Sequence, residues 1–433
     1  MREWKRFFAY VIPAVLAFAL SGVYAIVDGY FVGNRVGDIG ISTINIAYPI
    51  TALIQAAGTG IGMGGAVHYS ISRAEGKEEK AREFTASTLW MLLIASVLLT
   101  VGVFLFMTPL LKALGAEGEI LKLGEEYIRI IALGAGLQLI GTGLVPLIRN
   151  NGGSLVAMIA MVTGFVTNII LDYLFVWVCN GSTAGAAWAT VAGQGAAMCI
   201  GIGYLLYKKQ ITFRISAEKM GRAAKTIIKI GLAPFGLALT PNFSLILINR
   251  FSVMYGGEQA VAVYACISYI ITIVYLILQG VGDGIQPLMS EYYGAKKTRE
   301  LHMANSFAYG FAVILSAVSM VLLYMFREET GVLFGASGPV IRETAEVFPI
   351  FLLAVPFIAV NRVATASFYA TERSAFSYIL TYAEPVLMLI LMLILPPLSG
   401  GQMMIWWSAA LARILSAVAA VILKYYTVKC GSL

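Results

Sequence analysis

Long apolar runs separated by short polar clusters set the pattern of this chain from end to end. A hydrocarbon core about 30 Å thick takes about 20 residues of helix to cross. Runs of about that length fall at 7–31, 44–70, 85–107, 127–147, 155–178 and 184–207, then at 227–251, 260–287, 307–325, 345–369, 376–395 and 405–425. The pattern predicts an all-α polytopic membrane protein with twelve transmembrane helices. Composition agrees, with 59% hydrophobic and 12% charged residues, against roughly 25% charged in soluble proteins.

The runs divide six and six, and motifs recur across them. Gly62-x-Gly64 followed by Gly76-Lys77 returns as Gly280-x-Gly282 followed by Gly294-Ala295, a shift of 218 residues. Leu114-Gly115-Ala116-Glu117-Gly118 returns as Phe334-Gly335-Ala336-Ser337-Gly338, a shift of 220. An even number of spans per half gives both copies one orientation, the parallel repeat of many transporters. Two six-helix bundles are expected, 1–215 and 216–433, joined through a basic amphipathic strap at 208–229 on the membrane surface.

The formal charge of +7 suggests a nucleic-acid partner until the basic residues are sorted by side of the membrane. Arg2, Lys5 and Arg6, the loop with Arg73, Lys77, Lys80 and Arg82, Arg149, the linker 208–229, the loop with Lys296, Lys297 and Arg299, and Arg373, Lys424 and Lys429 fall on one side and hold most of them. Loops 180–183 and 396–402 hold none. The positive-inside bias puts both termini in the cytoplasm of a multi-pass protein of the cell membrane. Its partner is then the lipid bilayer, not nucleic acid, and a monomer is expected. The first run continues to Phe31 and has an internal counterpart, so it reads as a span and not as a signal peptide. Cys179, Cys199, Cys266 and Cys430 show no metal or redox spacing. No Walker loop marks an ATP-driven pump. Two isolated histidines offer no catalytic cluster, so no enzyme is expected.

The candidate chemistry lies in polar groups within the spans, where a charge near mid-bilayer costs about 2.5–3.5 kcal/mol. Four acids qualify: Asp28, Asp172, Asp283 and Glu384. Asn168 and Asp172, four residues apart, share one helical face and present an amide oxygen beside a carboxylate, hard donors suited to an alkali cation or a proton. The repeat acts as a control. A shift of 221 carries Asp28 onto Asn249, and a shift of 220 carries Asn168, Asp172 and Thr190 onto Met388, Met392 and Ala410. The second half has no copy of this chemistry. His68, near a span end, faces no obvious partner in the sequence. Tyr24, Tyr48, Tyr255, Tyr264, Met158 and Met161 are candidates to line a cavity for bulky cations.

The stretch Asn168-Ile169-Ile170-Leu171-Asp172 resembles a signature of the multidrug and toxic compound extrusion (MATE) family in its prokaryotic form. So do Val27-Asp28-Gly29 with Val32-Gly33, Gly185-Ala186-Ala187-Trp188-Ala189-Thr190, and Gly284-Ile285-Gln286-Pro287 leading to Tyr293-Gly294-Ala295. The ordered set spans both halves. The resemblance implies two pseudo-symmetric bundles around a cavity that opens alternately to either side. It also implies a secondary active antiporter for multidrug efflux, exporting organic cations against inward sodium or proton flow without a cofactor. Its coupling site is an aspartate in span one, an asparagine and an aspartate in span five and a threonine in span six: Asp28, Asn168, Asp172 and Thr190 here, holding sodium or a proton. Asp283, Glu291 and Glu384 are acids where related pumps lead one to expect neutral or basic residues. Asp283 reads as a cavity charge or a span-end residue, and Glu384 as the charge partner of Arg362 or Arg413. The alternative is a flippase for lipid-linked saccharides from a related superfamily, favoured by fourteen spans or a strongly cationic cavity.

Overall fold

The computed structural model describes residues 2–334, 336–398 and 400–429. Gly335 of the repeated glycine motif and Cys430 lie outside the described residues. Within them the chain is helical, with no strand: α1 (Arg2–Val36), α2 (Asp38–Ala74), α3 (Glu78–Ala113), α4 (Gly118–Leu133), α5 (Ala135–Asn150), α6 (Ser154–Asp172), α7 (Ser182–Tyr207) and α8 (Ala217–Gly294) come first. Then follow α9 (Thr298–Met325), α10 (Arg327–Leu333), α11 (Gly338–Ala370), α12 (Ser374–Leu398) and α13 (Gln402–Lys429).

Ten of the described helices are long and apolar enough to cross a membrane, and α4 and α5, bent by 56° at their junction, supply an eleventh crossing. The twelfth is inside α8. Its 78 residues would extend about 117 Å as one helix, nearly four times a hydrocarbon core of about 30 Å. Gly257 breaks it, with φ 64° and ψ −158°, a conformation essentially reserved for glycine. The twelve runs read from the sequence each fall within one of these crossings.

The helix boundaries fix the register of the repeat. Glu78, Gly118, Ser154 and Ser182 begin α3, α4, α6 and α7, and Thr298, Gly338, Ser374 and Gln402 begin α9, α11, α12 and α13. Each pair is separated by 220 residues. The shift of 218 read from the first glycine motif is therefore two residues off. The turn after α2 carries Gly76 at φ 77°, and the turn after α8 carries Lys296 at φ 56°, so Gly76 corresponds to Lys296 and not to Gly294. The contacts agree: Gly62 abuts Gly143 of α5, and Gly282 abuts Arg362 of α11.

Packing divides the chain into two compact units. One contains Leu20–Leu239 and Ser290–Ala295; the other contains Met1–Ala19, Thr240–Met289 and Lys296–Leu433. The sequence halves 1–215 and 216–433 thus trade segments, the start of α1 joining the second unit and the start of α8 the first. In the first unit, Leu92, Leu111, Ile128, Ile131 and Leu139 form a buried apolar core. In the second, Phe7 meets Phe307 and Phe311 edge-on at 5.9 and 6.0 Å, and Tyr264, Phe351 and Trp406 form an aromatic cluster.

Two local expectations change. The 208–229 segment is not a separate surface helix: a stretch without regular secondary structure reaches Ser216, and α8 then runs on into the seventh span. The Trp90 indole donates to the Phe213 carbonyl at 3.1 Å, and Lys219 donates to Glu83 and to Glu79, the latter at 3.3 Å. His68 is buried and stacks on Phe84 at 4.8 Å.

Candidate functional site

The sequence places small residues where α6 meets α7, and this positions the site. An added Cβ at Gly193 of α7 would lie 2.6 Å from the Gly164 carbonyl oxygen of α6 and 3.0 Å from the Asn168 Cβ. Only glycine at both positions lets the two backbones approach so closely, which sets Asn168 beside Thr190. The Asn168 amide donates to the Thr190 hydroxyl at 3.3 Å.

One turn beyond, at Asp172, α6 gives way to a π-helical turn, Tyr173–Val178. Such turns are rare and collect at functional sites. This one has no counterpart in α12, which stays α-helical through Leu393, the residue equivalent to Tyr173. A chain reversal follows through Asn180 and Ser182, both at positive φ, and the Gly181 amide returns to the Phe175 carbonyl at 2.7 Å. The Arg35 guanidinium at the end of α1 donates to the Asn180 side chain. Tyr24 of α1 stacks on Phe165 of α6, rings 5.0 Å apart and 13° from parallel. These two contacts fix α1 on either side of Asp28, which faces Asp172. Val32, Val176 and Ala186 close an apolar layer beyond it.

All four sequence-derived residues of the first half thus converge. Asp172 is 0% and Asn168 2% exposed. The Asp28 and Asp172 carboxyls lie within hydrogen-bonding reach of each other. Asp28 Oδ1, Asn168 Oδ1 and both oxygens of Asp172 are buried and accept no hydrogen bond. Four clustered acceptors with no donor invert the usual rule that buried polar atoms are paired. Two adjacent carboxylates out of water repel unless a cation or a proton sits with them. The oxygens are hard donors, matching an alkali cation or a proton and not a thiophilic metal. Tyr24 and Tyr127 stand within electrostatic reach of both carboxylates, their hydroxyls toward Thr190. Tyr127 was not singled out by sequence; among 22 tyrosines nothing in its spacing marks it.

Of the remaining candidates, Tyr48, Met158 and Met161 belong to the first unit, and Tyr255, Tyr264, Asp283, Arg362 and Glu384 to the second. Asp283 of α8 is buried and accepts from the Gln279 amide at 2.7 Å and the Tyr369 hydroxyl at 3.1 Å. Glu384 of α12 is paired with Arg413 of α13, whose Nε donates to it at 3.2 Å. Arg362 of α11 is buried nearby but does not take that role. The positions equivalent to the first-half cluster, Met388, Met392 and Ala410, are fully buried and apolar.

Comparison with known proteins places this geometry in a family. The profile of the family described as MatE matches residues 13–174 and 235–394, one segment in each half. Multidrug export protein MepA of Staphylococcus haemolyticus (strain JCSC1435) is 24% identical over 390 residues, covering 89% of this chain and 85% of that protein. MepA of Staphylococcus aureus (strain NCTC 8325 / PS 47) is 25% identical, covering 89% and 86%. Among solved structures, an outward-facing multidrug resistance MATE family transporter of the MOP superfamily superimposes with a TM-score of 0.91 at 20% identity, over 99% of this chain and 96% of that one. A MOP superfamily transporter from Pyrococcus furiosus gives a TM-score of 0.91 at 21% identity with the same coverage. At these identities the structural likeness establishes the fold alone.

Proposed function

The chain belongs to the MatE family of membrane transporters, and on that premise we propose that it is a secondary active antiporter. It exports organic cationic compounds by alternating access, driven by inward flow of sodium or protons. The relatives named as multidrug export proteins support the direction and the breadth of substrates. The observation that carries the coupling is the cluster of buried acceptors without donors at Asp28, Asn168 and Asp172, with Thr190 completing it.

As a mechanism, a cation or proton entering between Asp28 and Asp172 removes the repulsion of two buried carboxylates and draws α1 and α6 together. Its departure restores the repulsion. The site therefore prefers one arrangement of α1 when loaded and another when empty. That difference in ion affinity between two states is what coupling requires, because a ligand bound equally well by both shifts nothing. The one-sided placement of the cluster leaves the second unit free for other work. We place both termini in the cytoplasm, from the distribution of basic residues, and take the monomer as the working unit.

The experiment is export of ethidium from proteoliposomes under an imposed sodium gradient, an imposed proton gradient, or none. One gradient accelerates export by the wild type. Asp28→Asn and Asp172→Asn keep the size and polarity but remove the charge, and both lose that acceleration. Unchanged gradient-driven export by both variants defeats the proposal.

A further inference from the structure

The 220-residue register that aligns the two halves pairs Gly164 with Glu384 and Gly193 with Arg413. In the first half this helix crossing is closed by two glycines in backbone contact. In the second half the same crossing, between α12 and α13, holds a buried ion pair. The fold does not need charge there, since the first copy packs without it, and a buried pair is a poor stabiliser compared with apolar packing.

The pair is also incomplete. Glu384 meets only Nε of Arg413, at 3.2 Å. Arg413 is 3% exposed, and its Nη1 is buried with no acceptor. The guanidinium lies over the Tyr275 ring, 5.1 Å from its centroid, and the Tyr275 hydroxyl is likewise buried and unpartnered. Tyr264 is within hydrogen-bonding reach of Arg413 and stacks toward Trp406 at 6.0 Å. Arg362 joins Arg413 and Glu384 within electrostatic reach of Tyr275, so two cations face one anion. The Glu384 side chain keeps 16% exposure, which leaves the group reachable. A purely structural ion pair explains neither the surplus positive charge nor two orphaned donors beside an aromatic wall.

We infer that Arg413, Tyr275 and Tyr264 form a recognition site for an oxyanion, a carboxylate or phosphate group carried on an aromatic or apolar body. An acceptor placed there satisfies Nη1 in the charge-assisted geometry that guanidinium favours, takes up the Tyr275 hydroxyl, and balances the extra cation. The substrates then include acids and zwitterions, not organic cations alone. This consequence rests on the transporter reading; the binding itself does not involve the ion cluster of the first unit.

The test is calorimetric titration of the purified full-length protein with benzoate, phenylphosphonate, the neutral isostere benzamide and the cation benzyltrimethylammonium, without any gradient. The wild type binds benzoate or phenylphosphonate at least about tenfold more tightly than benzamide. Whichever of the two anions binds more tightly identifies the group as carboxylate or phosphate. The double variant Glu384→Gln/Arg413→Gln removes one charge of each sign, leaves the local net charge unchanged, and loses the discrimination. Glu384→Gln alone removes the competing negative charge while keeping an acceptor for Nε, and strengthens anion binding. Should the double variant elute as aggregate on size exclusion, Arg413→Lys carries the test, with a loss of at least about fivefold because the ammonium lacks the fork. Equal binding of benzoate and benzamide by the wild type overturns the inference. So does anion preference surviving in a folded double variant or in Arg413→Lys. Asp172→Asn binds benzoate as the wild type does, so failure of the coupling proposal and failure of this one give different results.

Discussion

Replacing Gly193 by alanine puts one methyl group into the contact that positions the ion cluster. The new Cβ lies 2.6 Å from the Gly164 carbonyl oxygen and 3.0 Å from the Asn168 Cβ. Relieving the first contact to about 3.5 Å asks α6 and α7 to separate by about 0.9 Å. The Asn168–Thr190 hydrogen bond is already 3.3 Å long, so a quarter of that movement carries it past the about 3.5 Å limit of a useful bond. Overpacking of this kind costs about 1–3 kcal/mol, and a binding constellation tolerates about 0.5 Å of error. We therefore expect Gly193→Ala to fold with a lowered melting temperature and to require at least about tenfold more coupling ion for half-maximal ethidium export. Gly203→Ala is the control: it sits on the same helix, and its Cβ meets nothing within 4 Å, so it matches or exceeds the wild type in stability. If Gly193→Ala keeps the wild-type ion dependence, the close approach of α6 and α7 does not position the site.

Two further predictions address other parts of the chain. Asp283→Ala removes the acceptor of Gln279 and Tyr369, so thermal unfolding followed by size exclusion registers a loss of about 1–3 kcal/mol. Its ion dependence stays that of the wild type, since Asp283 belongs to the other unit. Hydrogen bonds donated to Glu83 and then Glu79 hold the Lys219 ammonium above the ordinary lysine value. A raised value in the folded protein means that this contribution is fully present below about pH 10.4, the unfolded value, and is lost as pH rises through the folded one. The stability difference between wild type and Lys219→Met is therefore constant from pH 7 to about 10 and shrinks above it. The ammonium is solvent-exposed, so the difference is small, and high salt reduces it.

Much of the architecture is legible from apolar run lengths, because crossing a bilayer demands the same length of helix wherever it occurs. The register of the repeat was harder to read. Gly60-x-Gly62-x-Gly64 offers two superpositions on Gly280-x-Gly282-x-Gly284, and a glycine series spaced by two cannot choose between them; the helix starts do. The convergence of Asn168, Asp172 and Thr190 was readable because intramembrane polarity is costly and the repeat shows where it is not copied. The π-helical turn at Tyr173–Val178 was not, because its residues are as apolar as their neighbours and the change lies in backbone hydrogen bonding. The partner of Glu384 was undetermined because Arg362 and Arg413 both lie in neighbouring spans. Aligning Gly164 and Gly193 with Glu384 and Arg413 would have indicated the α12–α13 crossing.

The central claim is that one cluster, Asp28 with Asn168, Asp172 and Thr190, takes the coupling ion. The most direct measurement is cation binding by the purified protein with neither gradient nor substrate, using radioactive sodium in a scintillation assay beside proton uptake in a weakly buffered suspension. The account predicts saturable uptake of one of the two ions by the wild type, lost in Asp28→Asn and Asp172→Asn and kept in Met392→Leu at the equivalent place in the second half. Undiminished binding of that ion by the two aspartate variants would contradict it.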